Sequence, residues 1–283
     1  MFLRHPPSAP LAPFVESLWF SRRGALPHTR ERSLPTGCVD IVIPLLQDDI
    51  LRYDDEDDVQ VRRLRGGVVQ GPHDRYNVRG TEGPSVVVGV HLRAGAAAAL
   101  FGGALPELRN RSVVLEEVWG PAARDLREQL AQAPSPRAAL QLLEAHLLYR
   151  LRHAAPTDPM VAAAIDALQR DPALSLIEPV QRASGCTPAQ FIRRFEQAVG
   201  LTPKRYARVL RFNAMLPAVA RAGPRDWAQL AAAAGYFDQS HLINEFRRLA
   251  GMTPGTYTPV RPDQPTHVAL ARKNLQYAAS QRR

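Results

Sequence analysis

Arg193 and Asn244 are the side chains in this sequence best equipped to read the edge of a nucleic-acid base. A guanidinium binds guanine O6 and N7 together, and a carboxamide pairs with adenine N6 and N7 in the same bidentate manner. The two residues stand 51 positions apart, and that offset is a repeat. Laid over one another, residues 187–206 and 238–257 match Ile192 with Ile243, Phe195 with Phe246 and Gly200 with Gly251. Thr202, Pro203 and Tyr206 meet Thr253, Pro254 and Tyr257. A repeat of this kind marks a duplicated supersecondary unit.

The elements that must position those side chains are helices. In the second copy Leu242, Ile243, Phe246 and Leu249 share one helical face, leaving Ser240, Asn244 and Arg247 on the other. Asp238 suits the N-cap of that helix. A shorter helix precedes it, capped by Asp226 with Gln229 closing the box, rich in alanine, and ended by Gly235. In the first copy Thr187 caps, Pro188 takes the first helical position and Gln190 completes a capping box. Phe191, Phe195 and Val199 then face inward, and Ala189, Gln190, Arg193, Arg194 and Gln197 face outward. Two short helices joined by a glycine turn, the second with a polar outer stripe, describe a helix-turn-helix, present here in tandem. Thr202 and Pro203 open a connecting helix running to about Leu216, able to hold the units roughly 20 Å apart. Pro217 is expected to break or kink that helix, at about 3 kcal/mol. Pro179 and Gln181 are expected to make the first unit the less regular one.

At these residues the chain resembles the DNA-binding half of AraC/XylS-type transcription regulators. The second unit carries the pattern as Ala231, Gly235, Tyr236, Asp238, Ser240, His241, Leu242, Phe246, Gly251, Thr253, Pro254 and Tyr257, and the resemblance spans about residues 171–257. It implies double-stranded DNA as partner and base-reading positions at Ala189, Ile192 and Arg193, with Ser240, His241 and Asn244; Gln190 is outward beside them. Ile192 has two readings, a contact to a thymine methyl or a core residue like Ile243. Arg194, Lys204, Arg205, Arg208, Arg211, Arg247 and Arg248 are assigned to phosphates.

Charge agrees with that placement. Residues 1–174 carry a net −1, residues 175–257 a net +6 and residues 258–283 a net +4, so phosphate is expected to meet the last third. There is no run of 18 apolar residues and no signal-peptide core, which predicts a soluble, cytoplasmic protein without membrane partners. Cys38 and Cys186 fit no zinc or redox spacing. His5, His28, His73 and His91 form no H-x-H pair, so neither metal nor cofactor is expected, and no catalytic constellation is visible.

The fold class expected is α+β in two domains. Residues 1–153 read as a β-rich sensor and dimerisation domain: apolar runs at 14–20, 39–46, 68–69 and 86–92 between glycine and proline clusters, then helices over 96–101, 121–131 and 136–151. Its position and pattern resemble the cupin-like sensor barrel that precedes the DNA-binding half in many such regulators, and its 34–40 and 91–95 stretches look like a variant amino-terminal domain of such regulators. Leu140, Leu143, Leu147 and Leu151 form a stripe that is either core or a homodimer contact. Residues 54–58 read as a solvated acidic loop, 154–159 as a linker, 160–257 as the all-α domain with two helix-turn-helix units joined by a helix, and 258–283 as a flexible basic tail. Together these predict a sequence-specific transcription regulator modulated through its amino-terminal domain by an effector, such as a small molecule, or by a partner. The alternative is a cupin-like enzyme or a DNA-repair protein carrying a DNA-binding domain.

Overall fold

The computed structural model describes residues 1–54, 60–154, 157–173, 177–221 and 227–270. The chain opens with β1 (Phe2–His5), β2 (Val15–Arg23), β3 (Arg30–Ser33), β4 (Asp40–Pro44), β5 (Asp49–Tyr53), β6 (Arg62–Arg65), β7 (Val68–Gln70), β8 (Asn77–Gly80) and β9 (Ser85–Leu92). Then come α1 (Ala98–Phe101), a 3-10 segment at Gly102–Leu108, β10 (Ser112–Val114), α2 (Leu115–Trp119), α3 (Ala122–Ala131) and α4 (Pro136–Leu151). The last part holds α5 (Pro159–Arg170), α6 (Ile177–Ala183), α7 (Pro188–Val199), α8 (Pro203–Val219), α9 (Trp227–Ala233), α10 (Gln239–Ala250) and β11 (His267–Ala269).

The strands make two antiparallel sheets, ordered β1-β2-β9-β4-β7-β10 and β11-β3-β8-β5-β6, which do not close into a barrel. Alternation along the first sheet puts Leu18, Phe20, Ile41, Ile43, Val88 and Val90 on one face. That face packs against α1–α4, and Leu140, Leu143, Leu147 and Leu151 are all buried in the same core. The leucine stripe is therefore internal. The opposite face carries Ser17, Trp19, Asp40 and His91, and it looks toward the second sheet. Arg52 on β5 spans the gap, donating to Gln70 Oε1 at 3.0 Å and to Ser112 Oγ at 3.3 Å on β7 and β10.

The helical part has two cores. One joins Val161, Ile165 and Leu168 of α5 to Phe191, Phe195, Val199 and Tyr206. The other gathers Phe212, Leu216, Trp227, Tyr236, Leu242, Phe246 and Tyr257, and takes in Leu34 and Val268 from the sheet side. Three expectations are corrected here. Pro217 does not break α8: it is the third residue from the end, where the missing N–H removes one terminal hydrogen bond and its ring is exposed. Pro179 is the third residue of α6, where an N–H has no intrahelical partner anyway, and Gln181 donates to the Cys186 carbonyl and helps close the turn. Residues 258–270 are not a free tail: β11 pairs with β3, His267 opposite Ser33 and Ala269 opposite Glu31, with Val268 buried. Residues 271–283, the acidic positions 55–58, the linker positions 155–156 and the cap at Asp226 lie outside the described residues.

Candidate nucleic-acid interface

Each recognition helix is twelve residues long and starts at a satisfied cap. Thr187 Oγ1 accepts from the Gln190 N–H at 3.3 Å while Gln190 Oε1 accepts from the Thr187 N–H at 3.2 Å, closing the box on α7. On α10 the Asp238 carboxylate accepts from the His241 N–H at 2.7 Å. Both helices end at a left-handed glycine, Gly200 (φ 78) and Gly251 (φ 69). These two positions need glycine twice over. A Cβ on Gly200 would overlap the Pro72 ring and the Leu105 carbonyl, and one on Gly251 would overlap the Tyr76 ring.

That pair of contacts exposes a feature the sequence did not announce. Residues 71–76 wedge between the ends of both units. Pro72 meets Gly200, Asp74 Oδ2 accepts from Arg205 Nη1 at 2.8 Å, and the Tyr76 N–H donates to the Leu249 carbonyl at 2.8 Å. Asn110 Nδ2 donates to Asp74 Oδ1 at 2.7 Å and fixes the carboxylate. Arg109 reaches Glu196 of α7 at 3.4 Å, and Asn213 Nδ2 of α8 donates to the Pro35 carbonyl at 2.9 Å. None of these partners has a local sequence signal, because each lies tens of residues from its mate.

The outward faces remain open. Ala189, Gln190, Ile192 and Arg193 of α7 and Ser240, His241 and Asn244 of α10 are all exposed. Ile192 is 42% exposed, unlike Ile243, which packs against the second core; its two readings resolve toward the surface. Gln190 has its Oε1 tied into the capping box, and His241 lies edge-on to the Tyr236 ring at 5.3 Å, with Nδ1 accepting from the Phe237 N–H at 3.4 Å. Arg193, Ser240 and Asn244 extend from the helix surface without such ties. Phe237, just before the α10 cap, is 91% exposed and was not anticipated.

The basic residues divide into two groups. Lys204, Arg247 and Arg248 are exposed. Four others assigned to phosphates from the sequence are engaged inside the protein. Arg194 donates through Nε to Asp158 Oδ2 at 2.9 Å, the carboxylate whose other oxygen caps α5. Arg205 is bound to Asp74, and Arg208 forms a two-point pair with Glu245 that ties α8 to α10. Arg211 lies over the Tyr236 ring, 5.4 Å from its centroid. Cys186 Sγ accepts from Arg194 Nη1 at 3.4 Å, and burial pushes the Cys38 thiol up to about 12. Among the described residues no group of three His, Cys, Asp or Glu side chains could hold a metal ion, and no helix is long and apolar enough to cross a membrane.

Two capped helices with open polar faces, set on one 17-residue helix, define a tandem helix-turn-helix protein. A helix-turn-helix domain family matches residues 180–259, and a domain of unknown function (DUF6597) matches residues 3–114. Two proteins named as AraC-like transcription regulators are similar over 102 residues, one from Streptomyces antibioticus at 35% identity and one from Streptomyces lividans at 34%. The match takes in 35% of this chain and 33% of each relative, so the chain spans about a third of the length of the curated relatives it matches. A structure of ToxT from Vibrio cholerae is 9% identical with a TM-score of 0.46, over 90% of this chain and 97% of that one. The AraC-like transcriptional activator CuxR is 14% identical with a TM-score of 0.28, over 81% and 99%. The last third of the chain thus matches a helix-turn-helix domain family, and the chain is similar over 102 residues to these AraC-like regulators.

Proposed function

We propose that the protein is a sequence-specific DNA-binding transcription regulator of the AraC type, with α7 and α10 entering successive major grooves of double-stranded DNA. The observation that carries this reading is the equivalence of Arg193 and Asn244: matched positions of a repeat, both exposed, on the outer faces of two capped helices. Ala189, Ile192 and Arg193 read bases from α7, and Ser240, His241 and Asn244 read them from α10. Gln190 lends only its free amide nitrogen. Ile192 meets a thymine methyl, and Lys204, Arg247 and Arg248 contact phosphates. Arg194, Arg205, Arg208 and Arg211 hold the scaffold instead.

The amino-terminal domain modulates this binding in response to a small molecule, through residues 71–76, whose contacts reach both units. A homodimer on a site with repeated halves, and a place in the cytoplasm with the DNA, belong to the same proposal. Selection of bound sequences from random duplex DNA by the full chain tests it. The outcome in favour is an enriched site with two preferred blocks about one helical turn, roughly 10 base pairs, apart. Folded protein that enriches no sequence ends the reading.

A further inference from the structure

The two sheets meet through polar faces. Ser17 Oγ and Trp19 Nε1 on the first sheet, and Asn77 Oδ1 and Nδ2 and His267 Nδ1 on the second, are buried atoms with no hydrogen-bond partner. Buried polar groups are nearly always paired, so five orphan atoms on facing sheets point to a ligand that pairs them. Ser17 is 1% exposed and Arg52 6%. The Arg52 guanidinium donates only to neutral oxygens: Gln70 Oε1, Ser112 Oγ and the Leu51 carbonyl. A buried guanidinium with no carboxylate bound to it is costly, and Asp40 offsets that cost only through its field. Burial, with Arg79 and Arg62 acting the same way and Asp40 opposing, lowers Arg52 to about 9. His91 marks the open side. It keeps 43% of its side chain accessible although Trp19 stacks on it at 5.8 Å and Asp40 Oδ1 lies 2.6 Å from Nδ1. Crowded yet accessible, it stands where the space between the sheets meets solvent.

We propose that a cleft opens here between the sheets and binds a small hydroxy- or oxo-carboxylate, its carboxylate on Arg52 and its other oxygens on Ser17, Trp19 and Asn77. A planar carboxylate matches the guanidinium fork, and the orphan hydroxyl, indole and carboxamide groups suit hydroxyl or carbonyl oxygens. A fatty chain is disfavoured, because it would leave the same polar atoms unpaired. The cleft borders both links to the DNA-binding domain. His73, within the wedge of residues 71–76, lies in the field of Arg52 and Asp40, and His267 comes from β11. The inference rests on the regulator reading for its purpose but not for its test.

The test is calorimetric titration and thermal shift of the full chain, without DNA, using lactate, pyruvate, malate and citrate. Glycerol, ribose and octanoate are the comparison compounds. At least one hydroxy- or oxo-carboxylate binds and raises Tm, and Arg52→Met weakens it at least tenfold. Gln70→Glu guards against a variant that fails to fold. It places a carboxylate on Arg52 within the same 3.0 Å contact, so it raises the Tm of the free protein and weakens carboxylate binding at least tenfold. The proposal is overturned if none of the carboxylates binds, if only glycerol, ribose or octanoate binds, or if Gln70→Glu binds carboxylate as the parent does. Carboxylate binding with unaltered DNA affinity would uphold the cleft and remove the effector role instead.

Discussion

The two helix-turn-helix units share one pattern but differ in how deeply their scaffold helices are buried. In the second unit the scaffold helix α9 buries Trp227 and Ala231, and the core around Phe246 continues into Leu34 of the sheet domain and Val268 of β11. In the first unit the scaffold helix α6 has no fully buried residue. There the recognition helix buries Phe191 and Phe195 against α5, and partly exposed ion pairs join it to its surroundings: Arg194 with Asp158, Glu196 with Arg109, and Arg205 with Asp74 just beyond it. Apolar burial keeps its geometry across salt and pH, whereas partly exposed ion pairs add little and are screened. The difference lies in the scaffold helices: the unit with the better-preserved pattern anchors its own through Trp227 and Ala231, and the first unit leaves α6 without a buried side chain.

The sharpest way to break this comparison is to remove the core of each unit in turn. Phe246→Ala and Phe195→Ala should each cost about 3–5 kcal/mol, since both rings are fully buried. Hydrogen exchange separates them: Phe246→Ala should also strip protection from β3 and β11, and Phe195→Ala should leave those strands protected. Equal effects on β3 would mean that the cores are not distinct.

The next effect concerns the strand that ties the second unit to the sheets. Glu31 is buried, and although burial pushes its carboxyl up, the Arg79 charge and hydrogen bonds from His28 and Arg79 hold it down at about 2. His267 is pushed down to about 3, by burial first and then by Arg79. Both groups bind fewer protons folded than unfolded, so their contribution is complete above about pH 6.5 and shrinks as pH falls. His267 weakens β11 docking from about pH 6.5 downward, and Glu31 adds its loss between about 4.5 and 2. Tm followed against pH should fall through the first window in the parent, and His267→Gln should make that fall shallower, leaving the share of buried His73, which is pushed down to about 4. An unchanged slope would show that β11 is not the titrating tie.

Smaller effects fall on DNA binding. Arg193→Ala should cost about 1–3 kcal/mol on the preferred site and relax one guanine position, and Asn244→Ala should relax a different position in the other block. A library of single-base operator variants reads both. If Asn244 alone changes specificity, the first unit docks without reading. The smallest contrast is between two arginines. Arg248→Ala should weaken all sequences alike and reduce the salt slope by about one unit, as a lost phosphate contact does. Arg194→Ala should lower Tm and leave that slope unchanged, because its guanidinium is bound to Asp158.

The helical third was legible because its signals are local. The capping box Thr187–Gln190, the cap at Asp238 and the glycines at 200 and 251 act within one turn of where they stand, and the helices begin and end as those residues dictate. Pro217 misled because a proline's effect depends on its distance from the helix end, which the sequence did not mark. In the sheet domain, β2, β4, β7 and β9 were visible as apolar runs, since one of their faces enters the core. β3, β6 and β8 were invisible: Arg30–Ser33, Arg62–Arg65 and Asn77–Gly80 are rich in charged and polar residues, and β3 and β8 turn theirs into a polar inter-sheet layer, so no apolar alternation survives. Only the tertiary structure decided that β11 belongs to a sheet begun more than two hundred residues earlier, and which arginines are free for phosphate. The physical reason is the same in both cases. A cap or a periodic face is satisfied by its neighbours in the chain, whereas the partner of a strand edge or of a guanidinium is whatever charge or backbone the fold brings beside it.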